Sequence, residues 1–301
     1  MIRGTPAVET TRELGIFGCG RLGKALGRCL SNTDRVRIGQ VRTRSMASAR
    51  AAVAFLGEGD ALAPDEVPRR LDVVLIATPD ASIEAVAQEL AKSGAIDPGA
   101  IAFHCSGALG SDRLASLRSA GASVASVHPV RSFSDPSSAA MAFPGTPCAI
   151  EGDEDAIAWL APTFEACGGR IFEIEVGNKL LYHAGAVLAS NALVALLGAA
   201  IELEKRIGLD EDDATALLRP LAEGTAAAVF DRGAPSALTG PVSRGDVELV
   251  ANELETLNGC DPKLAELYRV LARHTVEVAR RQQGAPIDRL DAIQALLERL
   301  K

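Results

Sequence analysis

Residues 14–23 read Leu-Gly-Ile-Phe-Gly-Cys-Gly-Arg-Leu-Gly, a short apolar stretch that runs directly into three glycines spaced Gly-x-Gly-x-x-Gly. In a dinucleotide-binding turn the first glycine allows a tight turn, and the second lets the backbone approach a pyrophosphate. The third lets the next helix pack against the strand, and the phosphates lie at that helix's N-terminus. The loop predicted to bind a dinucleotide comprises Gly18, Cys19, Gly20, Arg21, Leu22 and Gly23.

The sequence that follows these glycines supports the prediction. Residues 22–30 place apolar side chains at helical spacing, and residues 36–41 have the composition of a second strand. A glycine motif that lies between a strand and a helix, with a second strand beyond, is a stronger signal than the motif alone. A glycine turn with a purely structural role is the alternative.

The end of the second strand indicates which nucleotide binds. Residues 41–45 read Val-Arg-Thr-Arg-Ser and contain no Asp or Glu, the residues that bind the ribose hydroxyls of NAD. Guanidinium groups bind phosphate in a forked geometry, so Arg42, Thr43 and Arg44 predict a site for the 2′-phosphate of NADP. A solvated, charged loop is the alternative. NADP is therefore the predicted cofactor, ahead of NAD.

Composition limits the class of protein. A chain of 301 residues with 48% hydrophobic residues is long enough for two domains with buried cores. A net charge of −8 without a basic block argues against nucleic acid or an anionic membrane as partner, and favours a small molecule. Six cysteines without CxxC spacing predict a reducing, cytoplasmic location and no metal site. The polar residues 1–12 are interpreted as a mobile leader, since they lack the apolar core of a signal peptide.

Alternating strand and helix patterns predict the fold. Residues 13–176 are predicted to form a Rossmann domain, an α/β fold in which helices cover both faces of a doubly wound parallel sheet. Residues 177–301 show only helical patterns and predict an all-α C-terminal domain. The further strands are predicted at 72–77, 100–104, 124–128, 148–151 and 170–174, and the C-terminal helices at 178–206, 210–231, 246–257, 262–283 and 287–300.

One segment approaches the composition of a membrane span. Residues 180–201 contain no Asp, Glu, Lys or Arg, and a bilayer crossing needs about 20 apolar residues. Tyr182, His183, Ser190 and Asn191 interrupt the segment, however, and most of its apolar residues are alanines. A buried central helix in a protein without a membrane partner is therefore predicted.

Polar clusters follow three successive strands, and ligands bind beyond the carboxyl ends of strands in open parallel sheets. These clusters are residues 78–80, 104–107 and 128–133. Each alone resembles a capped turn, but their recurrence at one sheet edge predicts a binding site. The predicted cofactor contacts from these strand ends are Ala77, Thr78, Pro79, Cys105, Ser106 and Gly107, and His128 and Arg131 are predicted to bind the substrate.

The first long C-terminal helix supplies the candidate catalytic groups. Lys179 and His183 lie on one helical face about 6 Å apart, and Lys179 is predicted to donate a proton to a carbonyl oxygen as hydride arrives at carbon. The alternatives are an exposed first-turn lysine and a histidine satisfied within the core. Asn191 is a further substrate-binding candidate, although about 18 Å of helix separates it from Lys179.

Residues 238–246 join two helices and contribute a hydroxyl, a guanidinium and a carboxylate. Ser243 is predicted to orient the substrate, and Arg244, like Arg131, is a candidate ligand for its carboxylate. Asp246 is predicted either to orient Lys179 or to cap the following helix.

With these residues in place, the chain resembles an uncharacterised family of Rossmann-like proteins whose C-terminal part is called domain of unknown function 2520. The resemblance rests on the glycine loop and on residues 104–108, 128–133, 179–191 and 238–246. It implies an NADP-binding fold and a helical dimerisation domain, hence a homodimer. It supplies no established reaction.

The architecture is more distantly similar to ketopantoate reductase, 6-phosphogluconate dehydrogenase, pyrroline-5-carboxylate reductase and prephenate dehydrogenase. Lys179-Leu-Leu resembles the helix-initial catalytic lysine of ketopantoate reductase, whose asparagine one turn later is replaced here by His183. His128-Pro129 is similar to the His-Pro pair of prephenate dehydrogenases.

These observations predict a cytoplasmic, dimeric NADP-dependent oxidoreductase that reduces a small 2-keto acid, with ketopantoate as the leading substrate. Three alternatives stay open. The protein oxidises a hydroxy acid or a prephenate-like compound, it uses a deazaflavin coenzyme, or it is a catalytically idle NADP sensor whose helical domain binds a partner protein.

Overall fold

The structure is a computed structural model that describes residues 11–299. The chain divides into two compact units, one that extends to Val187 and one that begins at Leu188. The sequence-based boundary at Val176 and Gly177 stays a prediction. The observed division falls later because the first turns of the helix that starts at Lys179 pack with the first unit. Of the predicted leader, all but the last two residues lie outside the described range, and Arg12 already belongs to the first strand.

An eight-stranded sheet forms the centre of the first unit. Its order is β3-β2-β1-β4-β5-β6-β7-β8, and its first six strands have the order of a dinucleotide-binding sheet. The predicted Rossmann fold is therefore confirmed. The strands are β1 (Arg12–Phe17), β2 (Val36–Arg42), β3 (Asp60–Leu62), β4 (Leu71–Ile76), β5 (Ile96–His104), β6 (Ser123–Pro129), β7 (Pro147–Gly152) and β8 (Arg170–Glu173).

The sheet departs from the predicted pattern at two places. The pairing of β6 with β7 is antiparallel, whereas all other pairs are parallel. The chain between them, residues 130–146, therefore starts and ends at the same edge of the sheet, the edge where ligands bind in such folds. The three-residue strand β3 was not predicted, because so short a segment carries no periodic pattern.

Apolar side chains cover both faces of this sheet. On β4, Val73 and Leu75 belong to one buried cluster, and Val74 and Ile76 belong to the other. Strands buried on both faces are typical of parallel sheets between layers of helices. The helices are α1 (Arg21–Ser31), α2 (Met46–Leu56), α3 (Asp80–Ser93), α4 (Ala115–Ser119), α5 (Pro136–Met141), α6 (Glu154–Ala166) and α7 (Lys179–Val187).

The second unit is entirely helical within the described residues, as predicted. A π-helical turn, Leu188–Ala192, precedes its first α-helix. Asp210, Asp246 and Asp261 accept backbone N–H groups at the starts of three helices, so these carboxylates are N-caps. The helices are α8 (Leu193–Arg206), α9 (Glu211–Arg232), α10 (Ala234–Ala237), α11 (Pro241–Arg244), α12 (Val247–Cys260), α13 (Pro262–Gln282) and α14 (Ile287–Arg299).

The prediction of a buried central helix is wrong for the single chain. No residue of α8 is buried, and Leu181 and Val194 are 75% and 73% exposed. The helix Lys179–Arg206 is long and apolar enough to cross a membrane, with a mean hydropathy of 2.0 over its best window. Length and composition alone are weak evidence for a membrane span, because helices that become buried in soluble proteins share both properties.

Candidate active site

The glycine loop has the geometry of a phosphate-binding turn. Gly18 has a φ of +88°, and a Cβ there would lie 2.6 Å from the backbone nitrogen of Thr78. A Cβ at Gly23 would lie 2.9 Å from the carbonyl oxygen of Gly18, whereas one at Gly20 would meet nothing within 4 Å. The first and third glycines therefore serve close packing, and the second faces open space in which a ligand fits.

A cavity of about 470 Å³ opens beside this loop. It brings together predicted cofactor residues from the glycine loop and from the end of β4. The hydroxyl of Thr78 is buried and has no hydrogen-bond partner among the described residues, which indicates a polar atom available to a ligand. The lining residues are Gly20, Arg21, Leu22, Ala77, Thr78, Pro79, Ser132, Phe133 and Ser134.

The last three of these lining residues were missed by the sequence analysis. They lie in the 130–146 connection, which returns to the same sheet edge because β6 and β7 are antiparallel. Their motif, residues 128–133, was singled out, but only His128 and Arg131 were assigned roles. A signal for Ser132 and Ser134 is their position four and six residues after the predicted strand end at residue 128, close to Arg131 in sequence.

Cys19 and Cys105, two of the predicted cofactor contacts, have buried thiol groups. Cys19 is buried in the core cluster, where desolvation raises the pKa of its thiol to about 12. Burial also raises the pKa of Cys105 far above its usual value. Both side chains are therefore neutral packing groups.

The Arg42 side chain is bound by groups of the fold, and its predicted role in binding phosphate stays a prediction. Its side chain is buried, and its Nη1 lies 2.6 Å from Glu89 Oε1 on α3. The guanidinium also lies 5.0 Å from the centre of the Phe17 ring. Because β2 lies beside β1, the Arg42 side chain crosses Phe17 and reaches α3, so it joins elements of the fold.

The other two predicted phosphate ligands lie where β2 leads into α2. The Thr43 hydroxyl donates to the carbonyl oxygen of Ser45 at 2.9 Å. Arg44 is exposed, and no ion pair of its guanidinium occurs within residues 11–299. Ser45 caps α2 by accepting the N–H of Ser48, so the free amides of this helix lie next to Arg44.

The loop after β5 is held by its own side chains. His104 Nε2 lies 2.9 Å from the carbonyl oxygen of Gly110, and Nδ1 accepts the N–H of Ser106. Burial lowers the pKa of His104 to about 4, so this imidazole is neutral. The Ser106 hydroxyl donates to Asp80 Oδ2 at 2.7 Å and accepts the N–H groups of residues 108 and 109. The Ser106 hydroxyl therefore shapes the loop, and the predicted contact of Ser106 with cofactor stays a prediction.

Lys179 is buried at the start of α7. Its side chain is 2% exposed, and Nζ has no hydrogen-bond partner within the described part of the chain. Desolvation lowers the pKa of the ammonium group, and the nearby buried carboxylate of Glu151 partly opposes this shift. The alternative of an exposed first-turn lysine is wrong. A buried ammonium without a partner is costly to a fold, which makes it a candidate functional group.

His183 and His128 approach Gly107 from two elements. A Cβ on Gly107 would lie 3.0 Å from His183 Nδ1 and 3.1 Å from His128 Nε2. A side chain at residue 107 would require both imidazoles to shift, so glycine lets them pack closely against the backbone. His183 Nδ1 is buried and, among residues 11–299, has no hydrogen-bond partner.

Tyr182, a residue without a predicted role, links this cluster. Its hydroxyl lies 2.8 Å from His128 Nδ1, and the two rings meet edge to face with centres 5.8 Å apart. Lys179 Nζ lies 5.6 Å from the centre of the Tyr182 ring. Burial lowers the pKa of His128 to about 4 and raises that of Tyr182. Lys179, Tyr182, His183, His128 and Gly107 together form what we call the α7 cluster.

Arg131 is held in part by the residues that follow it. Its Nη1 donates to the carbonyl oxygen of Ala142 and, at 2.9 Å, to the hydroxyl of Thr146. Its Nε is buried and has no hydrogen-bond partner among the described residues. The predicted contact of Arg131 with a substrate carboxylate stays a prediction.

The remaining candidates lie in the second unit. The Ser243 hydroxyl donates to the carbonyl oxygen of Gly240, and Asp246 accepts the N–H of Leu249, which is the capping alternative. Arg244 is exposed at the end of α11. Asn191 Oδ1 accepts a hydrogen bond from the Ser190 hydroxyl. Substrate roles for Asn191, Ser243 and Arg244 stay predictions.

Comparisons with known proteins agree with this architecture. The model of a Rossmann-like domain matches residues 5–129, and the model of a domain of unknown function, DUF2520, matches residues 146–275. A search of the curated proteins found no match.

Solved structures are similar over most of the chain. Protein TM1727 from Thermotoga maritima is 30% identical, with a TM-score of 0.73 and coverage of 90% of this chain and 99% of that one. BF3122 from Bacteroides fragilis, a candidate NADP oxidoreductase, is 22% identical with a TM-score of 0.69, and the match covers 91% and 99% of the two chains. Pyrroline carboxylate reductase from Plasmodium falciparum, solved with NADP bound, is 13% identical with a TM-score of 0.50, and the match covers 95% and 98%.

Proposed function

Since the chain belongs to the family of proteins that join a Rossmann-like domain to DUF2520, we propose that it is an NADP-dependent oxidoreductase that reduces the carbonyl group of a small 2-keto acid. The observation that carries this proposal is the buried Lys179 in the α7 cluster, whose Nζ has no hydrogen-bond partner in the part of the chain that the structure describes. This cluster includes residues that follow β5 and end β6, and the glycine loop follows β1. These three strands run parallel, so their carboxyl ends share one edge of the sheet.

The first unit supports binding of a dinucleotide. The open space at Gly20, the free amides at the start of α1 and the unpaired hydroxyl of Thr78 all adjoin one cavity. Such a site binds a pyrophosphate at the helix N-terminus. When bound, the nicotinamide supplies the hydride.

The cofactor is NADP rather than NAD. The residues after β2 include no carboxylate before α2, and the exposed guanidinium of Arg44 lies beside the amides of that helix. A phosphate is favoured there by charge and by the helix dipole. Two of the structurally similar proteins reported above are described as an NADP oxidoreductase candidate or as having NADP bound.

Lys179 donates the proton that completes the reduction. As hydride reaches the carbonyl carbon, negative charge develops on the oxygen, and a nearby ammonium group stabilises it and transfers its proton. Desolvation lowers the pKa of Lys179, which makes the ammonium a stronger acid than a solvated lysine. Oxygen thereby becomes a hydroxyl group, and Lys179 is left as a neutral amine.

The substrate is a small carboxylate, with ketopantoate as the leading candidate. Arg131 and Arg244 are the two arginines that the sequence offers as ligands for its carboxylate, because a guanidinium binds a carboxylate in a forked geometry.

The protein acts as a homodimer in the cytoplasm. Large apolar side chains on α8 and α9, among them Val194, Leu221 and Phe230, are exposed in the single chain. Exposed large apolar side chains of this kind support an interface with another protein surface. All six cysteines are free, and five of them are wholly or partly buried, which fits a reducing compartment.

The test follows NADPH absorbance with a panel of 2-keto acids that includes ketopantoate. We expect turnover with at least one of them, and loss of about 100-fold or more in kcat for Lys179→Met, which keeps the aliphatic length of the side chain. Lys263→Met, at an exposed position, is the matched control and leaves kcat unchanged. NADPH binding without turnover on any carbonyl compound contradicts the proposal and favours a sensor.

A further inference from the structure

We propose that Tyr182 is a positioning residue that presents His128, together with His183, to the carbonyl oxygen of the substrate. The inference rests on the proposed function and adds to it a second group of donors for that oxygen. In this arrangement the Tyr182 hydroxyl donates a hydrogen bond to His128 Nδ1, so the proton of the neutral imidazole resides on Nε2. His128 Nε2–H then binds the substrate oxygen, while Lys179 supplies the proton.

The hydrogen bond between Tyr182 and His128 carries the first step. The phenol oxygen lies 2.8 Å from Nδ1, which is a strong hydrogen-bond distance. Neutral imidazole has one nitrogen that donates and one that accepts, and the bond made by one nitrogen sets the tautomer. His128 is the polar partner that the described residues offer to the Tyr182 hydroxyl. A phenol donates readily to an imidazole lone pair, so Nδ1 accepts and Nε2 carries the proton.

The direction of Nε2 carries the second step. His128 Nε2 faces Gly107, where an added Cβ would lie 3.1 Å from it and 3.0 Å from His183 Nδ1. His128 Nε2 and His183 Nδ1 therefore lie side by side against Gly107. The absence of a side chain at residue 107 lets both imidazoles approach the backbone this closely, so the two nitrogens are presented together.

The unpaired atoms carry the third step. Lys179 Nζ and His183 Nδ1 are both buried, and neither has a hydrogen-bond partner within residues 11–299. Buried polar groups in folded proteins are nearly always hydrogen-bonded, so two such atoms in one cluster indicate a ligand that completes them. A carbonyl oxygen that becomes negatively charged during hydride transfer has three lone pairs, so it accepts hydrogen bonds from Lys179, His128 and His183 and binds these donors more strongly than the neutral carbonyl does.

Tyr182 contacts two of the three donors in the cluster, His128 and Lys179. Its hydroxyl fixes His128, and the face of its ring lies 5.6 Å from Lys179 Nζ, within range of a cation–π interaction. The pKa of His128 is lowered to about 4, so His128 stays neutral and acts as a hydrogen-bond donor rather than as an acid. The proton balance is unchanged, because His128 keeps its proton while Lys179 donates one.

The first experiment measures the tautomer of His128 without any substrate. Long-range ¹H–¹⁵N spectra of the labelled full-length protein resolve its four histidines, and they distinguish Nε2–H from Nδ1–H. We expect the Nε2–H form for His128 at pH 7, and in Tyr182→Phe a large shift of Nδ1. Tyr268→Phe is the matched control: the chain has two tyrosines, and the Tyr268 hydroxyl bonds Glu253 in the second unit. A charged His128, an Nδ1–H form, or equal spectra for Tyr182→Phe and the native protein would overturn the proposal.

The second experiment separates the two nitrogens of His128 by substitution. Glutamine places an amide N–H near the position of Nε2, and asparagine places its polar group near that of Nδ1. We expect His128→Gln to retain kcat within about 10-fold, and His128→Asn to lose about 100-fold, the usual effect of losing one such donor. The Kd for NADPH should be unchanged in both. Equal kcat values for the two variants would contradict the proposal.

Failure of this inference is distinguishable from failure of the proposed function. If the native protein neither binds NADPH nor turns over a carbonyl compound, the proposed function fails whatever the tautomer of His128. If the native protein reduces a 2-keto acid while Tyr182→Phe changes neither kcat nor the His128 spectrum, the inference alone fails.

Discussion

The two compact units bury their apolar residues to different extents. In the first, both faces of the sheet are covered, and the largest fully buried side chains, including Phe17, Phe103 and Phe164, all lie there. The second has a smaller core around Val250, Val276 and Ile293, while Phe230 is 86% exposed. A sheet that is covered on both sides has its apolar residues buried within its own unit. A helical unit that leaves large apolar side chains exposed needs another surface to bury them.

The largest expected effect tests how tightly the core of the first unit is packed. Phe103 is buried against Phe164 with ring centres 5.9 Å apart, so Phe103→Ala removes a filled core position. We expect a loss of about 3–5 kcal/mol in the free energy of unfolding. Denaturant unfolding followed by the fluorescence of Trp159 measures it, because this tryptophan is the chain's single one and lies in the first unit. Phe172→Ala, at a position 47% exposed, is the control and should cost less than about 1 kcal/mol. Equal losses would contradict the prediction.

The second effect concerns the exposed face of the second unit. Val194 is 73% exposed on α8, and Val194→Asp places a charge within the proposed dimer interface. We expect native protein at twice the chain mass of 31.3 kDa, and a shift of the variant to the monomer, by light scattering after gel filtration. Val67→Asp, at a position 64% exposed in the first unit, should stay dimeric. A native monomer in dilute buffer, or a native protein that requires detergent, contradicts the prediction.

The third effect distinguishes the roles of Arg42 and Arg44, which lie two positions apart in sequence. Arg44→Ala should raise the Kd for NADPH about 10-fold more than the Kd for NADH, since it removes the exposed guanidinium beside α2. Arg42→Ala should instead lower the free energy of unfolding by about 1–3 kcal/mol, because its guanidinium bonds Glu89 and covers Phe17. Titration of cofactor fluorescence and denaturant unfolding measure the two quantities. If Arg42→Ala weakens the binding of NADPH selectively and leaves the free energy of unfolding unchanged, a structural role for Arg42 is contradicted.

The smallest effect is a pH dependence set by Lys179. Desolvation is the main cause that lowers its pKa below the ordinary value of 10.5. The proton donor must be charged, so kcat should fall as pH rises through this lowered pKa, earlier than for a solvated lysine. Stability has the opposite sign: the unfolded chain binds more protons between the two pKa values, so the free energy of unfolding rises with pH in that window. Lys179→Met should abolish both trends, whereas Lys263→Met should retain them.

Local patterns predicted most of the first unit's sheet. Seven strands were predicted because apolar runs of four to six residues alternate with helical spacing, a signal that depends on neighbours in sequence. Gly18 and Gly23 were predicted for the same reason, since a tight turn and a close helix start are local requirements. The strand β3 and the antiparallel pairing of β7 were not, because pairing partners depend on how distant segments meet.

The candidate site was predicted in part. Lys179 and His183 were placed on one helical face from their spacing alone, and the structure brings both to the α7 cluster. Tyr182 was missed because its partner His128 lies 54 residues earlier in the chain. The hydrogen bond from the Ser106 hydroxyl to Asp80 was missed, because nothing in the sequence indicates it.

The sequence by itself determined the Rossmann class, the glycine loop and the helical character of the C-terminal region, because each follows from residue spacings of two to four positions. The tertiary structure decided which polar groups are free. It paired Arg42 with Glu89 and Arg131 with Thr146, and among residues 11–299 it left Lys179 Nζ without a hydrogen-bond partner. It also decided that α8 is exposed in the single chain. The physical reason is that burial and pairing depend on residues far apart in sequence, which only the packing of the elements brings together.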